Sequence, residues 1–134
     1  MQTELLISTE RKQEFVDITP EVTETVKISK IKKGLCNVFV PHATAAIAIN
    51  ENADPNLQLD IIDALDAVAE SKKWRHDTID GNAAAHIKSA IIGPSQTIPI
   101  KEGVLQLGRW QDIFLCEFDG PRKRNVIITI TKGE

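Results

Sequence analysis

The spacing of apolar residues changes period several times along the chain, and each change marks an element. Residues 3–8 alternate and residues 14–18 run apolar, with a polar stretch over 9–13 between them, which predicts a hairpin. Thr19-Pro20-Glu21 then reads as a helix start. Thr supplies a cap, Pro lacks an N–H where none is needed, and the acid meets the positive end of the helix dipole. Gly34 after Lys32-Lys33 is the matching stop, so the helix is predicted over 20–33. Residues 35–41 and 45–50 are rich in Val, Ile, Phe and Ala and read as strands. Asp54-Pro55 opens a second helix whose apolar face is Leu57, Ile61, Leu65 and Val68, with Asp60, Asp63 and Asp66 on a solvated stripe.

Residues 71–81 are polar and irregular. Asn82 can cap a third helix over 83–92, with Ile87 and Ile91 on its core face, ended by Gly93-Pro94. Four strands follow, over 97–101, 104–108, 113–118 and 125–131. Glu102-Gly103 and Asp119-Gly120 are the turn signals, so this end reads as mostly meander-like. In the last strand Val126, Ile128 and Ile130 share one face. The pattern predicts an α+β fold of mostly antiparallel strands with two or three helices packed on them.

Composition narrows this further. A chain of 134 residues, 42% hydrophobic, has the size of one domain, so residues 1–134 are taken together. Its apolar runs, such as 113–115 and 126–128, are far too short to span a bilayer. Met1-Gln2-Thr3-Glu4 lacks the basic start and apolar block of a signal peptide, and the protein is read as cytoplasmic, without a membrane partner. The net charge of −3 and only six aromatics argue against a nucleic-acid partner. Arg122-Lys123-Arg124 is too short to reverse that and reads as a solvated turn. Cys36 and Cys116 sit in apolar runs without metal or redox spacing and read as buried small hydrophobes.

No phosphate-binding loop, dinucleotide fingerprint, nucleophile elbow or His-Glu-x-x-His helix is present. What stands out is polar residues at element ends: His42, Asn50-Glu51-Asn52, His76-Asp77, and Asp80-Gly81-Asn82 leading to His86. His86 lies one turn into its helix, where the dipole disfavours the imidazolium and leaves a lone pair for a metal. Three histidines with an open fourth position make a known catalytic zinc arrangement. The spacing of 42, 76 and 86 is not diagnostic, and each could equally be structural.

Several motifs, in order, resemble the YjbQ family, the secondary thiamine-phosphate synthases. They begin with Pro41-His42-Ala43-Thr44-Ala45 and Ile49-Asn50-Glu51-Asn52-Ala53-Asp54-Pro55. His76, Asp80-Gly81-Asn82, Ala85-His86-Ile87-Lys88, Gly93-Pro94-Ser95 and Ile98-Pro99-Ile100 follow. Leu107-Gly108-Arg109-Trp110-Gln111-Asp112-Ile113 and Glu117-Phe118-Asp119-Gly120-Pro121-Arg122 complete the match from about residue 15 onward. The resemblance implies a homotrimer and a divalent metal, zinc first, held by His42, His76 and His86. It implies an enzyme joining a pyrimidine pyrophosphate to a thiazole phosphate, as a side activity. Glu51 and Asp80 are then the candidate catalytic acids, and Asn50, Lys88, Gln111 and Arg122 the candidates for holding a small phosphorylated metabolite. Two other readings stand beside it: a metal-holding module that binds such a metabolite without turnover, and a metal-assisted hydrolase using Glu51 or Asp80 as base. The main thiamine-phosphate synthase is a TIM barrel of ~250 residues, so any such activity here sits on a different fold.

Overall fold

Two stretches, Ala45–Asn50 (β4) and Asp112–Glu117 (β7), are apolar at nearly every position rather than at alternate ones, because both of their faces are buried. The computed structural model describes residues 1–134. β4 and β7 pair antiparallel, and Glu14–Asp17 (β2) joins β7 on its other side to give a three-stranded sheet. The second sheet has five strands: Gln2–Ser8 (β1), Lys33–Phe39 (β3), Ser95–Lys101 (β5), Val104–Leu105 (β6) and Lys123–Lys132 (β8). Its order is β1-β8-β3-β5-β6, with every pairing antiparallel.

The two sheets share a core of 16 buried residues. Cys36, Val38, Ile98, Val126, Ile128 and Ile130 come from the large sheet, and Ala45, Ile47, Ile113 and Leu115 from the small one. The helix Thr19–Ser29 (α1) adds Val22 and Val26 to this core. The small sheet's other face, with Ala46, Phe114, Cys116 and Phe118, is covered by the helices Pro55–Ala69 (α2) and Ala83–Ile92 (α3) through Leu65 and Ala85. The layers are therefore large sheet, small sheet and helices. The outer face of the large sheet has no cover: Leu6 is 62%, Leu35 49% and Phe39 36% exposed. The fold is the expected α+β domain with three helices, and none of them is long and apolar enough to cross a membrane.

Several expectations are corrected. Residues 3–8 and 14–18 do not form a hairpin: β1 pairs with β8 and β2 with β7, in different sheets. The polar 9–13 segment is a crossing, tied down by the Glu14 carboxylate, which accepts from the Glu10 and Arg11 amides. Likewise only β5 and β6 form a hairpin among the last four strands, since Asp119-Gly120 carries the chain between sheets. β6 spans two residues, not five.

α1 stops at Ser29, because Lys30 takes the left-handed conformation (φ 60°). Gly34 is then no helix stop but part of β3, where a Cβ would lie 1.9 Å from the Thr131 carbonyl oxygen. The solvated stripe of α2 holds for Asp60 and Asp63, whereas Asp66 turns to Lys88 of α3, and Val68 is 58% exposed. The inner face of α3 is Ala85, Lys88 and Ser89, and Ile91 points out. Both cysteines are buried and unpaired, and burial raises the Cys36 thiol to about 11 and Cys116 further.

Candidate metal and anion site

The end of the small sheet where β7 runs into β8 gathers a cluster of ionisable groups. Glu117 ends β7 and is fully buried between the sheets. Arg124 of β8 meets it there, its Nε donating to Oε1 at 2.9 Å and a terminal nitrogen to the other oxygen. The same nitrogen donates to Thr44 Oγ1 (2.8 Å), and Thr9 Oγ1 donates to Glu117 (2.8 Å). Burial pushes the Glu117 carboxyl up, but the bonds from Arg124, the Asp119 amide and Thr9 outweigh it and hold it below the ordinary range.

Asp119 is the next tie. Its carboxylate accepts from Lys12 Nζ (3.1 Å), Asn82 Nδ2 (3.1 Å) and a terminal nitrogen of Arg122 (2.8 Å). These bonds prevail over burial and keep Asp119 ionised below its usual range. Asp119 thereby fastens the start of α3 to the turn that carries Arg122, which remains half exposed.

His76 and His86 meet here. A short 3-10 helix, Arg75–Thr78, is set by Asp77, whose carboxylate accepts from the Trp74 amide (2.9 Å) and, across the gap to α3, from the Ala83 amide (3.1 Å). These two bonds lower the Asp77 pKa, and the one from Ala83 does the capping expected of Asn82. The His76 and His86 rings stand edge to face, with centroids 4.9 Å apart. His76 Nε2 is shielded from solvent without a hydrogen-bond partner; Asp80 Oδ2 lies 3.5 Å away, too far to satisfy it. A shielded polar nitrogen left unfilled is costly. Two imidazoles, one of them with an orphaned nitrogen, and an exposed carboxylate are the donor types a divalent ion takes, so this pair fits a metal in part. No three His, Cys, Asp or Glu side chains converge closely enough within the chain to complete a ligand set.

His42 stands apart from this pair. The β3–β8 ladder ends at Phe39↔Ile127, and further along β8 the Asn125 amide donates to His42 Nε2 at 2.9 Å. Burial lowers the His42 pKa, helped by the charges of Arg124 and Arg122 and opposed by Glu117.

The remaining candidates divide. Lys88 is 1% exposed and its ammonium is fully used by Asp66 (2.5 Å), Gln13 (2.9 Å) and Glu70 (3.2 Å). Asn50, Glu51 and Gln111 lie at the other end of the small sheet, because Ala45 pairs with Glu117 while Asn50 pairs with Asp112. A six-residue strand separates them from His42 by about 17 Å. Gln111 folds back to accept from the Gly108 amide, and Asn50 accepts from the Glu51 amide. Sequence reasoning passed over Glu117, Asp119 and Asn125, and it misread Arg124, which is not part of a solvated turn but buried in β8. Arg124 was legible, since it shares the face of Val126, Ile128 and Ile130 and so points inward, where a charge requires a partner.

The comparisons with known proteins agree with the motifs. The family model described as "UPF0047 protein YjbQ-like" matches residues 3–133. A UPF0047 protein of Methanocaldococcus jannaschii is 48% identical over 124 residues, covering 92% of this chain and 89% of the relative. The UPF0047 protein YugU of Bacillus subtilis is 42% identical over 127 residues, covering 92% and 94%. Among solved structures, a YbjQ-like protein of unknown function from Sulfolobus solfataricus superposes with a TM-score of 0.96 at 41% identity, covering 99% of this chain and 97% of that one. From Glu117-Phe118-Asp119-Gly120-Pro121-Arg122 to the paired histidines, the motifs that carry the likeness also build this end of the sheet, and the chain belongs to the YjbQ (UPF0047) family.

Proposed function

We propose that this chain is a metal-dependent enzyme acting on a small phosphorylated metabolite. The reaction to test first is the joining of a pyrimidine pyrophosphate to a thiazole phosphate with release of pyrophosphate. The observation that carries this reading is the edge-to-face His76–His86 pair with the orphaned Nε2 of His76. These two imidazoles, with Asp80 beside them, would hold a divalent ion, zinc first on grounds of ligand type and availability. A bound zinc would supply positive charge to a departing pyrophosphate. The chain's own contribution is cationic: Arg122 and Lys12 are exposed around Asp119 and can hold phosphoryl oxygens.

Metal content of protein purified without a nickel column tests the site. Near-stoichiometric zinc is expected, falling sharply in His76→Ala and in His86→Ala. Unchanged zinc in either variant removes that residue. The purified wild type is also expected to form thiamine phosphate and to rescue a thiamine-requiring strain when overexpressed, with both lost in His86→Ala.

One observation favours a second reading. Glu51 sits a strand's length from the histidines, which leaves Asp80 as the acid at hand and suits a module that captures the metabolite without turnover. Metabolite binding without product formation by folded, metal-loaded protein would select it. The same proposal includes a cytoplasmic homotrimer, supported by the uncovered outer face of the large sheet, whose central positions Asn37, Phe39, Thr97, Ile127 and Thr129 carry no charge.

A further inference from the structure

His42 has a role that its chemistry distinguishes from that of the other two histidines. A hydrogen bond from the Asn125 amide to Nε2 requires an unprotonated Nε2, because two N–H groups cannot face each other at 2.9 Å. The one lone pair of the neutral ring is therefore occupied, and the ring proton sits on Nδ1. Nδ1 has no partner within the chain and is not among the shielded unpartnered atoms, so it faces solvent as a donor. A metal needs the opposite, a free lone pair.

The surroundings supply a target for that donor. The side chains joined around the β7–β8 turn include three cations, Lys12, Arg122 and Arg124, against two carboxylates, Glu117 and Asp119. Arg122 spends Nε and one terminal nitrogen on Asp119, which leaves its other terminal nitrogen free on a half-exposed side chain. An N–H donor within electrostatic reach of a partly free guanidinium, in a region of net positive charge, is suited to phosphoryl oxygens. A purely structural His42, there only to satisfy the Asn125 amide, would leave Nδ1–H to water.

We infer that His42 is not a metal ligand but an Nδ1–H donor that, with Arg122, forms the subsite for a phosphoryl group of the ligand. This deepens the phosphorylated-metabolite reading and rests on it, but it does not need the metal. Nitrogen NMR of the ¹⁵N-histidine-labelled full chain tests it directly. His42 is expected as the Nδ1–H tautomer, to stay so on titration with zinc alone while His76 and His86 respond, and to shift on titration with inorganic phosphate. By calorimetry, phosphate affinity should fall roughly tenfold in Arg122→Gln and in His42→Phe, with zinc affinity of both unchanged. If His42→Phe does not fold, the wild-type spectra and Arg122→Gln decide. A zinc-induced change at His42 Nε2 overturns the inference, and so does phosphate that leaves His42 unmoved or does not bind. Absence of any zinc response at all three rings would instead count against the metal reading and leave the phosphate result to decide this one.

Discussion

The Glu117–Arg124 pair shows what a single register position can dictate. Both side chains are almost wholly buried, so each charge depends on the other and on Thr9 and Thr44. Arg124→Met is expected to cost about 3–5 kcal/mol at neutral pH, because it strands a buried carboxylate. Urea unfolding measures this. The sign of the pH dependence follows from the depressed pKa of Glu117. In the wild type its contribution is fully present above the ordinary glutamate range and is lost as pH falls through the lower folded value. In Arg124→Met the stranded carboxyl gains by protonation, so the two urea midpoints should converge toward pH 3. Midpoints separated by a constant amount from neutral to acid pH would refute the pairing. Arg124 was readable from strand parity, whereas Glu117 hid as the one polar position in an apolar run. The partner of His42 was not readable at all, because a backbone amide leaves no mark in sequence.

At the level of elements, type was more legible than partnership. Helices and strands were largely visible from period and punctuation, and Asp54 caps α2 as its sequence suggests, accepting from the Asn56 amide. Partnership failed where a polar segment looked like a turn but was a crossing, at residues 9–13 and again at 119–122. The cap of α3 was misread for a related reason: Asp77 reaches the Ala83 amide only because the 3-10 helix folds it back. Asp77→Ala should therefore loosen the first turn of α3 and with it the His76–His86 contact. Faster hydrogen exchange at Ala83 and weaker zinc binding, with the exchange of β7 unchanged, are the expected results. Unaltered exchange at Ala83 would show that Asn82 caps the helix after all. Asn50 and Glu51 were grouped with the histidines by motif, yet β4, which ends at Asn50, holds them a strand's length from the end that carries His42.

For the molecule as a whole, class and family were legible because long, ordered motifs and periodicity survive without knowledge of pairing. The division into two sheets was not, since no local signal says which strand crosses. That division leaves one broad sheet face exposed, uncharged at its centre and charged toward its edges, the sort of surface a neighbouring copy covers. Light scattering at micromolar concentration is expected to give a trimer. The double variant Phe39→Lys with Ile127→Lys, which places charges at paired positions on that face, should give a folded monomer. A monomeric wild type, or a trimer indifferent to those lysines, would rule out this face as the interface.

The pairing of β1 and β3 on either side of β8 also fixes an order of events during synthesis. β8 is the last of the eight strands to be made; β3 can pair with β5 before it, but β1 has no other partner. Until it emerges from the ribosome, β1 has no ladder to join and its Leu5 and Ile7 no core to enter. The small sheet can assemble beforehand, since β2, β4 and β7 all precede β8. The large sheet closes afterwards, when the amino terminus, whose ammonium donates to the Ile130 carbonyl, meets residues more than a hundred positions downstream. For most of its time as a nascent chain, this protein lacks the one strand that joins β1 to the rest of its large sheet.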